Sequence, residues 1–149
     1  MRGVVVVLAT WGGCGFSPFA PGTVGTLGAI PLYLLLARLP LAAYLGATLL
    51  LTVLACWVAG RAQEIYGEHD PGKIVIDEVA GYLVTMAGMP LSWQGVVAGF
   101  FLFRLFDIVK PPPARLIDQR LTSGTGVVLD DIVAGLYACT CLHLLARFL

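Results

Sequence analysis

The chain has 149 residues, one domain's worth, with nine Lys and Arg against nine Asp and Glu and a formal net charge of zero. Hydrophobic residues make up 58% and charged residues 12%, roughly half the charged share of an ordinary soluble domain. That balance argues against a small soluble domain, whose large surface needs more charge unless oligomerisation covers it, and a neutral chain without a basic tail argues against general nucleic-acid affinity. The solvent that fits is a lipid bilayer.

The run from Val4 to Ala9 is apolar but too short for the core of a secretory signal. Residues 12–26 follow as a stretch rich in Gly, Pro and hydroxyls that opens into a helix over 24–39. No charge occurs between Arg2 and Arg38, between Arg38 and Arg61, or between Glu78 and Arg104. A bilayer span needs about 20 residues, and these runs place further helices over 41–60, 74–88, 92–109 and 127–148. The helices at 24–39 and 74–88 are short, so they enter part of the bilayer or sit inside the bundle. Pro40 and Gly88-Met89-Pro90 mark turns. Pro111-Pro112-Pro113 stops a helix, because proline lacks the amide donor and restricts the residue before it. Residues 114–121 then read as an amphipathic surface helix with Arg115, Asp118 and Arg120 on its wet side. The expectation is an all-α, integral membrane bundle of about five helices plus that surface helix, forming a single domain over 1–149. The four cysteines show no CxxC spacing and read as free thiols.

Threading five helices up and down puts Arg2, Arg61, Lys73, Arg104, Lys110, Arg115 and Arg120 on or near one side, and only Arg38 and Arg147 on the other. By the positive-inside rule the first side faces the cytoplasm. All nine acidic residues map to that same side, which orientation does not require.

Asp77-Glu78 starts the helix at 74–88, Asp107 ends the next, and Asp130-Asp131 starts the last. Helix capping accounts for an acid at an N-terminus, but a negative charge near a C-terminus is disfavoured, so Asp107 needs another reason. Carboxylates at the edge of hydrocarbon are costly unless paired or metal-bound. Several converging on one spot demand a cation, and oxygen-only ligands suit magnesium. Asp77, Glu78, Asp107, Asp130 and Asp131 are therefore the expected metal ligands and catalytic acids. Arg104, Asp107 and Lys110 recur at i, i+3 and i+6 on one broad helix face, where Arg104 and Lys110 can clamp phosphate. Lys73 and the hydroxyls of Ser17, Thr23 and Thr26, near a helix N-terminus with free amides, are the assisting phosphate contacts. His69, on a loop before Pro71-Gly72, is the candidate general acid.

These residues fall in stretches that together resemble the phosphatidylglycerophosphatase A family: Gly15-Phe-Ser-Pro-Phe-Ala-Pro-Gly-Thr-Val-Gly-Thr-Leu, His69-Asp70, Ile74-Val-Ile-Asp-Glu, Phe103-Arg-Leu-Phe-Asp-Ile-Val-Lys-Pro and Gly126-Val-Val-Leu-Asp-Asp-Ile-Val-Ala-Gly. The resemblance implies a magnesium-dependent enzyme that hydrolyses phosphatidylglycerophosphate to phosphatidylglycerol and phosphate in phospholipid biosynthesis. It implies a multi-pass protein of the bacterial inner membrane, acting on a membrane phospholipid with its site toward the cytoplasm. Oligomeric state stays open. The rival expectation is an ion or solute transporter using the same carboxylates.

Overall fold

Proline, glycine and serine set most of the element boundaries. The computed structural model describes residues 1–68, 71–121 and 123–148, without the side chain of Asp118. Among them the chain forms seven α-helices and no strand: α1 (Arg2–Ala9), α2 (Pro21–Leu36), α3 (Leu41–Tyr66), α4 (Ile76–Thr85), α5 (Trp93–Val109), α6 (Ala114–Arg120) and α7 (Gly124–Leu145). Pro21 opens α2, where its missing amide costs nothing, and Pro40 precedes α3. Ser92 and Ser123 cap α5 and α7 by accepting from the amides of Gly95 and Gly126, at 3.0 and 3.4 Å. Gly67 ends α3 in the left-handed region (φ 67°), its amide donating to the Gln63 carbonyl at 2.8 Å.

The all-helical bundle agrees with the expectation, with three differences. First, α1 forms in the N-terminal stretch, where no helix was placed, because Val5 and Ala9 bury against Ala55, Val58, Ala59 and Ala62 of α3 and packing overrides the weak helix preference of valine. Second, α3 runs six residues past Gly60, since nothing before Gly67 breaks it. Third, α4 covers ten residues rather than 74–88. It is too short to span and lies in the middle of the bundle against α2, α3, α5 and α7, with most of its residues buried.

Among the described residues two helices, α3 and α7 with its last turn, are long and apolar enough to cross a membrane. At 26 residues α3 is about 39 Å long, against roughly 30 Å of hydrocarbon. Its outer face exposes Leu45, Leu49, Leu50, Val53 and Trp57, a surface that suits lipid and not water. Inside, Tyr33 stacks edge-on against Tyr44 and Tyr82, with ring centroids 6.3 and 6.0 Å apart. The Tyr44 hydroxyl donates to the Leu83 carbonyl at 2.6 Å and that of Tyr82 to the Val96 carbonyl at 3.1 Å, tying α4 to α3 and α5.

The closest approach that matters for the site is between α4 and α7. A Cβ on Gly135 would lie 2.5 Å from the Gly81 carbonyl oxygen, and one on Gly81 would lie 2.9 Å from that of Asp131. Only glycine at both places allows the two backbones to touch.

Candidate active site

Gly81 follows Asp77 by four residues and Gly135 follows Asp131 by four, so each glycine lies on the same helix face as its carboxylate, one turn on. The glycine contact therefore brings the acidic ends of α4 and α7 together. Asp77 and Glu78 sit in the first turn of α4, Asp107 in the last turn of α5, and Asp130 and Asp131 in the second turn of α7. Oxygens of Asp77, Asp130 and Asp131 lie within 4.8 Å of one another, and so do those of Glu78, Asp107 and Asp131. Asp77 is only 5% exposed and Asp131 1%. The five carboxylates line a cavity of about 300 Å³ with Pro21, Gly22, Gly72, Arg104, Ile108 and Lys110.

Capping does not explain the group. Asp77 and Glu78 meet the positive end of α4, but Asp107 stands at the wrong end of α5 and Asp131 lies well inside α7. Two cations offset part of the charge. Arg104 pairs with Asp107 through its Nη1, and the Lys110 Nζ donates to Asp130 Oδ2 at 2.8 Å and to Asp107 Oδ1 at 3.4 Å. Lys110 ends α5 in the left-handed region (φ 51°), which turns its side chain back over the cavity. That conformation costs a non-glycine residue roughly 1–2 kcal/mol, and the two carboxylate contacts offset it. Burial works against the Lys110 charge, yet Asp131, Asp130 and Asp107 outweigh it and hold the ammonium above its usual range. Burial, then the charge of Asp77, pushes Glu78 well upward, and burial pushes Asp77 upward too.

Asp77 Oδ1, Glu78 Oε2 and Asp131 Oδ2 are buried without a hydrogen-bond partner. Buried carboxylate oxygens without partners are expensive, and these converge on the cavity. The donors are all oxygen, which fits a hard divalent cation and not a soft one. The cluster could hold a metal ion.

The remaining expected residues stand elsewhere. The Ser17 hydroxyl donates to the Phe19 carbonyl at 2.8 Å, and the buried Thr26 hydroxyl donates to the Gly22 carbonyl at 2.8 Å. Both hold the backbone of the loop and first turn, and with Thr23 they stay outside the cavity lining. Lys73 is exposed, its ammonium 4.9 Å from the centre of the Tyr66 ring. His69 and the Asp118 side chain lie outside the described parts. Sequence reasoning passed over Gly22. A Cβ there would meet Glu78 Oε1 at 2.9 Å and Arg104 Nη1 at 3.1 Å, and as the second residue of α2 its amide has no acceptor within the helix. The available signal was Gly22 directly after Pro21, because proline favours the first position of a helix and a glycine just inside one, about 1 kcal/mol worse than alanine, implies a close approach.

A larger groove of about 660 Å³ runs beside α3 and the start of α7, past Arg61, Glu64, Glu68 and Ser123. Its Arg61 and Glu64 pair with each other at 3.0 Å and are exposed, so nothing there demands a ligand. The smaller cavity holds the buried charge and is the candidate site.

The family model for phosphatidylglycerophosphatase A matches residues 7–146. A phosphatidylglycerophosphatase A from Escherichia coli is 38% identical over 142 residues, covering 95% of this chain and 83% of the relative. One from Haemophilus influenzae is 42% identical over 134 residues, covering 89% and 82%. A protein from Bacteroides thetaiotaomicron, 41% identical over 145 residues and covering 89% and 87%, is named as a candidate phosphatidylinositol-3-phosphatase. No solved structure gives a significant match.

Proposed function

The chain belongs to the phosphatidylglycerophosphatase A family, and from that premise we propose that it hydrolyses phosphatidylglycerophosphate to phosphatidylglycerol and phosphate, with magnesium, in phospholipid biosynthesis. The observation that carries the reading is the convergence of five mostly buried carboxylates and two cations on one small cavity. Asp77, Glu78, Asp107, Asp130 and Asp131 would hold the ion, which supplies Lewis-acid charge for the phosphoryl group and lowers the proton affinity of an attacking water.

The protein's own part is positioning and charge. Arg104 presents a planar fork and Lys110 a point charge toward phosphoryl oxygens. The Gly22 amide, at the positive end of α2, adds a donor that no side chain obstructs. Thr26 and Ser17 fix the backbone around Gly22, through the Gly22 and Phe19 carbonyls. His69 is proposed to return a proton to the leaving glycerol oxygen.

The first turn of α4, the last turn of α5 and the second turn of α7 carry the site, which supports a reaction toward one membrane face, with acyl chains left in the bilayer. Transport sites usually stand near the midplane, which speaks against the rival reading. The excess of Lys and Arg on the site's side supports a multi-pass protein of the bacterial cytoplasmic membrane with the cavity toward the cytoplasm.

The test is phosphate release from phosphatidylglycerophosphate by detergent-purified protein, in magnesium and in excess chelator. Release should require magnesium and vanish in Asp107→Asn and Asp131→Asn. Near-wild-type release in both variants would refute the site. Faster release from phosphatidylinositol 3-phosphate would move the head-group assignment and leave the chemistry in place.

A further inference from the structure

Resting on the reading of this cavity as a phosphatase site, we propose that it takes two divalent cations rather than one, with Asp131 bridging them. The carboxylates divide into two triads, Asp77–Asp130–Asp131 and Glu78–Asp107–Asp131, each with oxygens within 4.8 Å of one another. Asp131 is the member they share. It is 1% exposed, and its Oδ2 has no partner.

Helix geometry explains why one ion does not serve all five groups. Successive residues on a helix point about 100° apart. Asp77 and Glu78 are neighbours in α4, and Asp130 and Asp131 are neighbours in α7. The Asp77–Glu78 doublet therefore does not close easily on a single point but can serve two adjacent points, while Asp131, beside Asp130 in the first triad, also reaches the second. The structure divides the α4 doublet that way, with Asp77 in the first triad and Glu78 in the second. Orphaned oxygens occur on both sides of the division, Asp77 Oδ1 in the first and Glu78 Oε2 in the second. A single ion in either triad would leave the other one orphaned and buried.

Charge gives the same count. Five carboxylates against Arg104 and Lys110 leave three formal negative charges. One divalent ion leaves one negative charge facing an incoming phosphomonoester of about −2. Two ions leave one positive charge, which attracts it. The protein cations also favour this partition, because Lys110 contacts one carboxylate of each triad, Asp130 and Asp107, and neither Asp77 nor Glu78. Paired ions in phosphatases clamp the attacking and leaving oxygens of an in-line displacement, which suits the proposed reaction.

Manganese(II) is the probe that reads this without turnover. Detergent-purified, metal-stripped protein is titrated with Mn²⁺, the bound ion is counted, and the paramagnetic resonance spectrum is recorded. Two ions per chain with an exchange-coupled spectrum are expected, and Glu78→Gln or Asp130→Asn should each leave one ion with an uncoupled six-line spectrum. Asp131→Asn should abolish the coupling. One ion per chain with an uncoupled spectrum in the unaltered protein overturns the pair, and that result depends on no variant folding. Phosphate release on the same sample separates the two claims. One ion with full release overturns the pair and keeps the phosphatase reading; two coupled ions without release from phosphatidylglycerophosphate support the pair and remove the substrate.

Discussion

Gly135→Ala tests whether the α4–α7 glycine contact sets the site. The new Cβ would stand 2.5 Å from the Gly81 carbonyl oxygen and 3.1 Å from Val84 Cβ. Reaching the 3.4 Å of ordinary contact requires a shift of 0.9 Å at the backbone, because the carbonyl it meets is not a movable side-chain end. Asp131 stands one turn away on the same face and must move with it. Overpacking of this kind costs about 1–3 kcal/mol, offset by the roughly 1 kcal/mol that alanine gains over glycine in a helix. A net loss of about 1 kcal/mol lowers the melting midpoint by only about 2–4 °C at this chain length. Displacing catalytic groups by 1 Å, in contrast, can cost on the order of 100-fold in rate. The expected signature is a large loss of phosphate release in a protein that still melts cooperatively. Gly46→Ala on the exposed face of α3 is the control, since a Cβ there meets nothing within 4 Å; it should keep full activity and melt at or above the parent. Activity within about twofold of the parent for Gly135→Ala, together with an unchanged midpoint, would refute the argument that backbone contact positions Asp131.

Gly22→Ala should lower kcat/KM by at least tenfold, measured by phosphate release, with a melting midpoint near the parent's, because the atoms its Cβ meets are the ends of the Glu78 and Arg104 side chains. Lys110→Met leaves Asp130 without its cation; KM should rise and kcat/KM fall about 100-fold, with Lys110→Arg retaining more because it keeps the charge. In chelator, the raised Asp77 and Glu78 bind protons in the folded state that the unfolded chain has released above pH about 4–4.5. The metal-free protein should therefore gain stability as pH falls from 8 toward 5, in a thermal-melt series, and saturating magnesium should flatten that slope. Trp11→Phe removes the indole donor to the Gly28 carbonyl at 2.8 Å and should cost about 1 kcal/mol in a denaturant melt without changing kcat.

Much of the architecture was legible before any coordinates. Uncharged runs from Arg2 to Arg38, from Arg38 to Arg61 and from Glu78 to Arg104 gave helices, since burying charge in hydrocarbon is costly whatever the neighbours do. Prolines and glycines gave the turns by local sterics alone. The acidic cluster was legible because Asp107 contradicts the helix dipole and therefore needed a partner outside its own helix. What escaped was whatever depends on a neighbour distant in sequence. Formation of α1 needed the alanine face of α3, and the length of α4 was set by its packing inside the bundle.

Likewise, the pattern of residue types determined that carboxylates and cations share one end of the chain's helices, because charge, turn chemistry and period are local properties. Only the tertiary structure decided which oxygens meet. The sequence treats Ser17, Thr23 and Gly22 as one loop, yet the fold puts Gly22 against Arg104 and sends the Ser17 and Thr26 hydroxyls to the backbone. Aspartates 54 residues apart, Asp77 and Asp131, come together because two helices touch at Gly81 and Gly135. The absence of a side chain becomes informative only when the other backbone is in place to fill the space.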